Sequence, residues 1–216
     1  MRRSISSATS DVEYLFPSAA DPDEKRWSEL EGIANRGDFD LKRHAEYSGE
    51  KLEYFDQASG ERYVPYVIEP AAGADRALLA FLVDAYDEEQ VEREGAGEGE
   101  RRTVLRLHPR LAPVKAAVLP LVGKDGQPEL AREVHDQLRT RILSEYDAGG
   151  AIGRRYRRQD EIGTPFCLTI DHQSLADRTL TLRDRDTLEQ QRLPIEGIAD
   201  ELERRVLAPW TNPKLR

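Results

Sequence analysis

The sequence predicts an α/β protein: a strand-and-helix segment, then an acidic linker, then a three-layer α/β/α domain on a mixed sheet. Three observations carry this. Val114 to Val122 (VKAAVLPLV) is a nearly unbroken apolar run, as expected of a strand covered on both faces. Leu130, Val134, Leu138 and Ile142 recur every four residues, which predicts an amphipathic helix over 129–145. Between the two parts, Asp87 to Arg102 (DEEQVEREGAGEGERR) holds seven acids, three glycines and almost nothing apolar, so it is expected to be solvated. The domains are therefore expected at 1–87 and 103–216, joined by a linker at 88–102.

Taken in order, Pro17 to Arg26 (PSAADPDEKR) has two prolines and no apolar period, which predicts a loop. Arg62 to Glu69 (RYVPYVIE) is rich in Val, Ile and Tyr and predicts a strand ended by Pro70. Gly73 opens a helix from about Asp75 to Tyr86. Its apolar residues (Ala77, Leu78, Leu79, Phe81, Leu82, Val83) surround the axis, so it is expected to be buried. After the linker come the strand at 114–122 and the helix at 129–145, then a short basic helix near 152–158 and a strand at 166–171. Thr179 to Arg183 alternates leucine with threonine, the pattern of a half-buried strand. Pro194 is expected to start a last helix with Ile195, Ile198, Leu202 and Val206 on one face.

The net charge of −9 hides an asymmetry. Residues 1–100 carry 11 Lys and Arg against 24 Asp and Glu, whereas residues 101–216 carry 21 against 17. Only the second part suits a polyanion, because attraction to phosphate depends on the local field. No run approaches the ~18 apolar residues of a membrane span, and the start (MRRSISS) lacks a signal peptide's apolar stretch. The single cysteine, Cys167, rules out an internal disulfide and fits a cytoplasmic compartment; inside an apolar strand it is expected to be a small buried side chain. The four histidines have no metal-ligand spacing, so no resident metal is expected.

Two constellations carry chemistry. Glu69-Pro70-Ala71-Ala72-Gly73-Ala74-Asp75-Arg76 is a strand delivering a carboxylate, a glycine turn, and a helix start bearing an arginine. A helix N-terminus favours anions, and an arginine there can grip phosphate or stack on a base. An ordinary strand-to-helix connection with a solvated arginine fits the same eight residues. The second is Arg154-Arg155-Tyr156-Arg157-Arg158, with Arg183 and Arg185 further on. Guanidinium groups around a tyrosine suit an RNA loop. A solvated basic face, or pairing with Asp160 and Glu161, is the alternative.

Longer blocks separate these readings. PYVIEPAAGADRALLAFLVDAYDEE resembles motif 3 of the class II aminoacyl-tRNA synthetases in its glycyl-tRNA synthetase form. WSELEGIANRGDFDLKRH (27–44) is similar to the strand and loop before it. RTVLRLHPRLAPVKAAVLPLV, AIGRRYRRQDEIGTPFCLTID and LTLRDRDTLEQQR resemble the anticodon-binding domain in order and spacing. The resemblance runs from about Asp11 to Val206. It implies that residues 1–87 are the C-terminal piece of a class II antiparallel sheet. It implies that Glu69 faces the glycine ammonium and that Glu69, Pro70, Ala71, Ala72 and Gly73 floor a small pocket. It further implies that Glu29, Leu30, Gly73, Ala74, Asp75 and Arg76 contact ATP, with Glu29 near a Mg²⁺. The anticodon stem-loop of tRNA(Gly) would be the partner of the second domain. No residue is singled out as a general acid, base or nucleophile, since such a reaction rests on positioning and charge stabilisation.

The sequence also departs from the family. Only 68 residues precede Glu69, so motif 1, which forms the family's homodimer, and motif 2 are expected to lie outside it. The chain alone is therefore expected not to aminoacylate; a complementary chain carrying motifs 1 and 2 would be needed. Ala71 stands where the family usually has serine, and Pro17 to Arg26 looks inserted. The alternatives are a non-catalytic tRNA-binding accessory protein and a decayed product with no activity.

Overall fold

The computed structural model describes residues 7–17, 25–91 and 100–215. They form two compact units that divide between Val83 and Asp84.

The first unit is built on a three-stranded antiparallel sheet. Strands β1 (Ala8–Pro17) and β2 (Lys25–Gly37) pair with each other, and β5 (Val67–Ala72) pairs with the other side of β2. Helix α1 (Phe39–Ser48) and a two-residue ladder of β3 (Tyr54–Phe55) with β4 (Arg62–Tyr63) lie between β2 and β5 in the chain. The expected single strand over 62–69 is two strands, split around Pro65. Pro70 does not end β5, because β5 is an edge strand, where a residue lacking an N–H is tolerated. The loop expected at 17–26 lies mostly outside the described residues. Helix α2 (Ala74–Ala85) forms where expected, but it is not buried: Leu78, Leu79, Phe81 and Leu82 are all exposed. A helix with apolar residues all round needs cover on every side, and a three-stranded sheet cannot supply it.

The second unit begins with a hairpin, β6 (Tyr86–Val91) against β7 (Glu100–Leu105). This differs from the linker expected at 88–102. Glu89 stands opposite Arg102, and Glu88 pairs with Arg101 across the ladder, so opposite charges meet. Arg102 is wholly buried. Residues 92–99 of that segment lie outside the described residues.

Then follow β8 (Ala116–Pro120), α3 (Gln127–Leu138), β9 (Ser144–Tyr146), α4 (Ile152–Ile162), β10 (Phe166–Ile170), α5 (His172–Asp177), β11 (Thr179–Asp184), β12 (Gln190–Pro194) and α6 (Ile198–Leu207). The sheet order is β12-β11-β10-β8-β9, with β8, β9 and β10 parallel and β11 and β12 antiparallel. This is the expected mixed sheet. Leu130, Val134 and Leu138 of α3 and Ile198 and Leu202 of α6 pack on one face, against Val118, Leu168 and Leu182. Ile152 and Tyr156 of α4 cover the other face, over Ala117, Leu119 and Cys167. Burial pushes the Cys167 thiol up to about 12, which leaves it protonated and inert.

Two helix boundaries differ from the sequence reading. α3 stops at Leu138, and Ile142 reaches the core from the turn that follows. Pro194 closes β12 rather than opening α6; Gly197, at φ +78°, makes the turn that a side-chain-bearing residue would resist.

Candidate functional site

In the first unit, cross-strand register builds the candidate pocket. Glu69 lies opposite Ala34 and Ala71 opposite Gly32, and Gly32 lies opposite Asp11 of β1. Cross-strand partners share a face, so Glu69 and Asp11 flank a floor of Gly32, Ala34 and Ala71. Three such small residues leave a shallow site. Pro70 and Ala72 alternate to the other face.

Glu29 joins this face through an irregularity. Val12 pairs with Glu31 but Glu13 pairs with Glu29, so Leu30 is an extra residue in β2. A β-bulge reverses the alternation beyond it. A Cβ added at Gly32 would stand 3.1 Å from Glu29 Oε1 and 3.7 Å from Asp11 Oδ1, so both carboxylates converge over that glycine.

Arg76 lies at the other end of β5. Its Nε donates to the Glu29 carbonyl at 2.6 Å, its Nη2 to Ser28 Oγ at 2.7 Å, and its guanidinium carbon sits 5.2 Å from the centre of the Phe16 ring. β5 ends opposite Glu31, so the β2 edge beyond is open, and Arg76 occupies it. Asp75 sits in the first turn of α2, where its charge suits the helix dipole. Gly73 and Ala74 connect strand to helix; Gly73 accepts from Ala77 N at 3.0 Å, and a Cβ there would meet only the Arg76 side chain. Gly73 is thus an open approach rather than a strained turn. Neither Arg36 nor Ser28 was singled out from sequence, yet Arg36 Nη1 lies 3.0 Å from Glu69 Oε2.

In the second unit the structure separates the arginines that the sequence grouped. Arg155 is buried and donates to the Pro120 and Gly150 carbonyls, satisfying backbone at the end of β8. Tyr156 Oη bonds Thr169 Oγ1 at 2.6 Å, under the Arg183 guanidinium. Arg183 is buried on Asp160, with bonds of 2.9 and 3.1 Å. Arg185 is buried too, donating to the Gly163 and Leu107 carbonyls at 2.8 Å each. These four hold the fold and present no donor to a partner. Arg157 stands 3.7 Å from the same Asp160. Arg158 is half-exposed on Asp147, at 2.6 Å. Arg154 is exposed, and with Arg158, Asp147, Gly149, Gly150 and Ile162 it lines an open cavity of about 600 Å³. The hub is Asp160, one of the two pairing partners the sequence offered for these arginines: wholly buried, it receives Arg102 at 2.8 Å as well as Arg183. Its place beside Glu161 at the end of the basic run was the available signal.

No helix of the described residues is long and apolar enough to cross a membrane. No group of three His, Cys, Asp or Glu side chains among them could hold a metal ion.

Comparison with known proteins shows what this chain is similar to. Residues 115–205 match the model of the anticodon binding domain. The chain is 53% identical over 201 residues to a glycine–tRNA ligase of Geobacillus thermodenitrificans, covering 93% of this chain and 40% of that ligase. It is 55% identical over 194 residues to that of Ruminiclostridium cellulolyticum and 49% over 226 residues to that of Rhodopirellula baltica. It thus spans about 40% of the length of the curated relatives it matches, and corresponds in sequence to the C-terminal part of a glycyl-tRNA synthetase.

Proposed function

We propose that this chain serves as the C-terminal part of a glycine–tRNA ligase: the first unit supplies one wall of the glycine and ATP pocket, and the second grips the anticodon loop of tRNA(Gly). The observation that supports this best is the join of Glu69 to Arg76 along β5 and α2, inside a stretch about 53% identical to such ligases.

In the reaction, the glycine carboxylate attacks the α-phosphate of ATP, pyrophosphate leaves, and glycyl-adenylate passes its acyl group to the tRNA 3′ end. Glu69 accepts hydrogen bonds from the glycine ammonium. Gly32, Ala34 and Ala71 let the backbone of the floor approach the bound glycine closely. Arg76, already held by Ser28 and Glu29, presents its guanidinium to the nucleotide without ordering cost. From Glu69 to the end of β5 is about 10 Å of strand, at ~3.3 Å per residue, which sets the ammonium site apart from the Arg76 end. A Mg²⁺ brought with ATP fits one or two carboxylates plus substrate phosphates, and Glu29 and Asp11 are the pair that would hold it, offsetting phosphate charge.

The RNA side is tested with the 216-residue chain, tRNA(Gly), and tRNA(Gly) carrying an exchanged anticodon. Tighter binding to the natural anticodon, by tenfold or more, is the expected result. Equal binding to both, or none at low ionic strength, overturns the reading.

A further inference from the structure

Glu69 is held by an ion pair that the proposed chemistry does not use. β2 ends at Gly37, whose φ of +59° turns the chain, and Asn35 Oδ1 accepts from Gly37 N at 3.0 Å. This turn brings Asp40, in the first turn of α1, against Arg36. Arg36 donates through Nε and Nη2 to the two oxygens of Asp40, and the remaining nitrogen, Nη1, faces Glu69 Oε2 at 3.0 Å. Its pKa is raised, first by its bond to Asp40 and against some desolvation. The three side chains are partly exposed, so as a surface ion pair they add little to stability. The geometry is more specific than that small gain requires.

We propose that Arg36 is a positioning residue for glycine recognition and that Asp40 sets the charge at which it works; the inference rests on the reading that Glu69 receives the ammonium. A bidentate carboxylate fixes the guanidinium plane in a way that a single contact does not. The fixed Nη1 then holds one oxygen of Glu69, leaving Oε1 without a partner among the described residues, on the face of Ala34, Gly32 and Ala71. Charge gives the second half of the argument. Arg36 alone would neutralise Glu69 and abolish its attraction for an ammonium ion. With Asp40 included, the cluster carries one net negative charge, so Glu69 is oriented without losing its field.

The test places these 216 residues in the Geobacillus thermodenitrificans ligase in place of their aligned counterpart and follows glycine-dependent ATP–pyrophosphate exchange. Arg36→Met is expected to raise KM for glycine tenfold or more while leaving KM for ATP within twofold, and Arg36→Lys to recover part of the loss. Asp40→Asn is expected to raise KM for glycine too, and more so at low ionic strength. A staple that merely joins α1 to the sheet would instead lower thermal stability and shift both KM values together, or neither; either outcome overturns the inference. Glu69→Gln separates it from its premise. If that change leaves KM for glycine untouched, the assignment of Glu69 fails; if it raises KM and Arg36→Met does not, only the positioning role fails. The side-chain carboxyl ¹³C resonance of Glu69 in the 216-residue chain gives a readout independent of turnover. It is expected to move in Arg36→Met and Asp40→Asn, and an unmoved resonance in both overturns the geometry.

Discussion

The two units use charged and apolar residues in opposite ways. In the second unit, arginines are inside: Arg102, Arg106, Arg155, Arg183 and Arg185 are buried, each on carboxylates or backbone carbonyls, while the leucines of β10, β11, α3 and α6 fill the core. In the first unit, apolar residues are outside: Leu78, Leu79, Phe81, Trp27 and Tyr66 are exposed, and among its described residues only Phe16 and Ala80 are buried. Residue type alone therefore does not say which side chain is structural here. Partners do. A buried guanidinium is tolerable when it is paired, and costly as soon as one carboxylate is removed.

That difference is sharpest at Asp160. Asp160→Ala leaves Arg102 and Arg183 buried without their shared carboxylate, and is expected to destabilise the second unit by about 3–5 kcal/mol. The equivalent loss in the first unit, Arg43→Ala at the exposed pair with Glu46, is expected to stay within about 0.5 kcal/mol. Urea unfolding, followed by the fluorescence of Trp210, bonded to Asp186, and by circular dichroism, reports both costs. Similar costs at both sites would erase the contrast.

The apolar side of the comparison is the next largest effect. Leu168, wholly buried in β10, is expected to cost about 2–5 kcal/mol as alanine. Leu79, half-exposed on α2, is expected to cost less than about 0.5 kcal/mol. A large loss at Leu79 in the 216-residue chain would mean that α2 is covered in solution, by another copy or by chain beyond the described residues.

Much of the second unit was legible in sequence because its signals are hydrophobic. The apolar run at 114–122 holds β8, all five of whose residues are buried, and the four-residue repeat gave α3. What escaped was encoded in charge or in register. The β6–β7 hairpin looked like a solvated linker because its strands are joined through Glu–Arg pairs rather than apolar alternation. Arg183 and Arg185 looked like RNA ligands because a buried arginine and a free one are the same letter. In the first unit, Glu69 to Arg76 was found from its resemblance to a family, but Arg36 and Asp40 were not. Their meeting depends on a turn at Gly37, and the facing of Glu29 depends on one extra residue at Leu30.

Acid gives a smaller effect, and the two carboxyls held lowest are both in the second unit. The Arg192 guanidinium, bonded to both oxygens of Asp171, and the Ser174 amide hold that carboxyl at about 2, below its ordinary 3.8. Arg204 and Arg205 likewise hold Glu201 at about 2, against 4.5. Both folded values lie below the unfolded ones, so their stabilisation is full above about pH 5 and is lost as pH falls towards 2. For Asp171, a quarter exposed, the loss is expected to be on the order of 1–2 kcal/mol. Arg192→Gln should remove that part of the pH dependence. Urea midpoints measured at pH 5, 4, 3 and 2 test it, and an unchanged slope in the variant refutes the assignment.

The finest comparison is between neighbours, Arg154 and Arg155. One is exposed beside the Gly149–Gly150 turn; the other is inside, bound to the carbonyls that end β8. If the exposed side of α4 meets the anticodon loop, Arg154→Ala should weaken tRNA binding several-fold, about 1 kcal/mol, leave stability within ~0.5 kcal/mol, and make the plot of log affinity against log salt shallower by about one unit. Arg155→Ala should do the reverse: lower the urea midpoint strongly, yet leave the affinity and salt slope of the folded fraction unchanged. Most other described arginines of this unit are already paired, so few phosphate contacts remain available, and the salt dependence of the parent chain should itself be modest. A steep slope that survives Arg154→Ala would place the RNA surface elsewhere on the unit, and would show that pairing within the fold does not prevent an arginine from changing partners when a phosphate arrives.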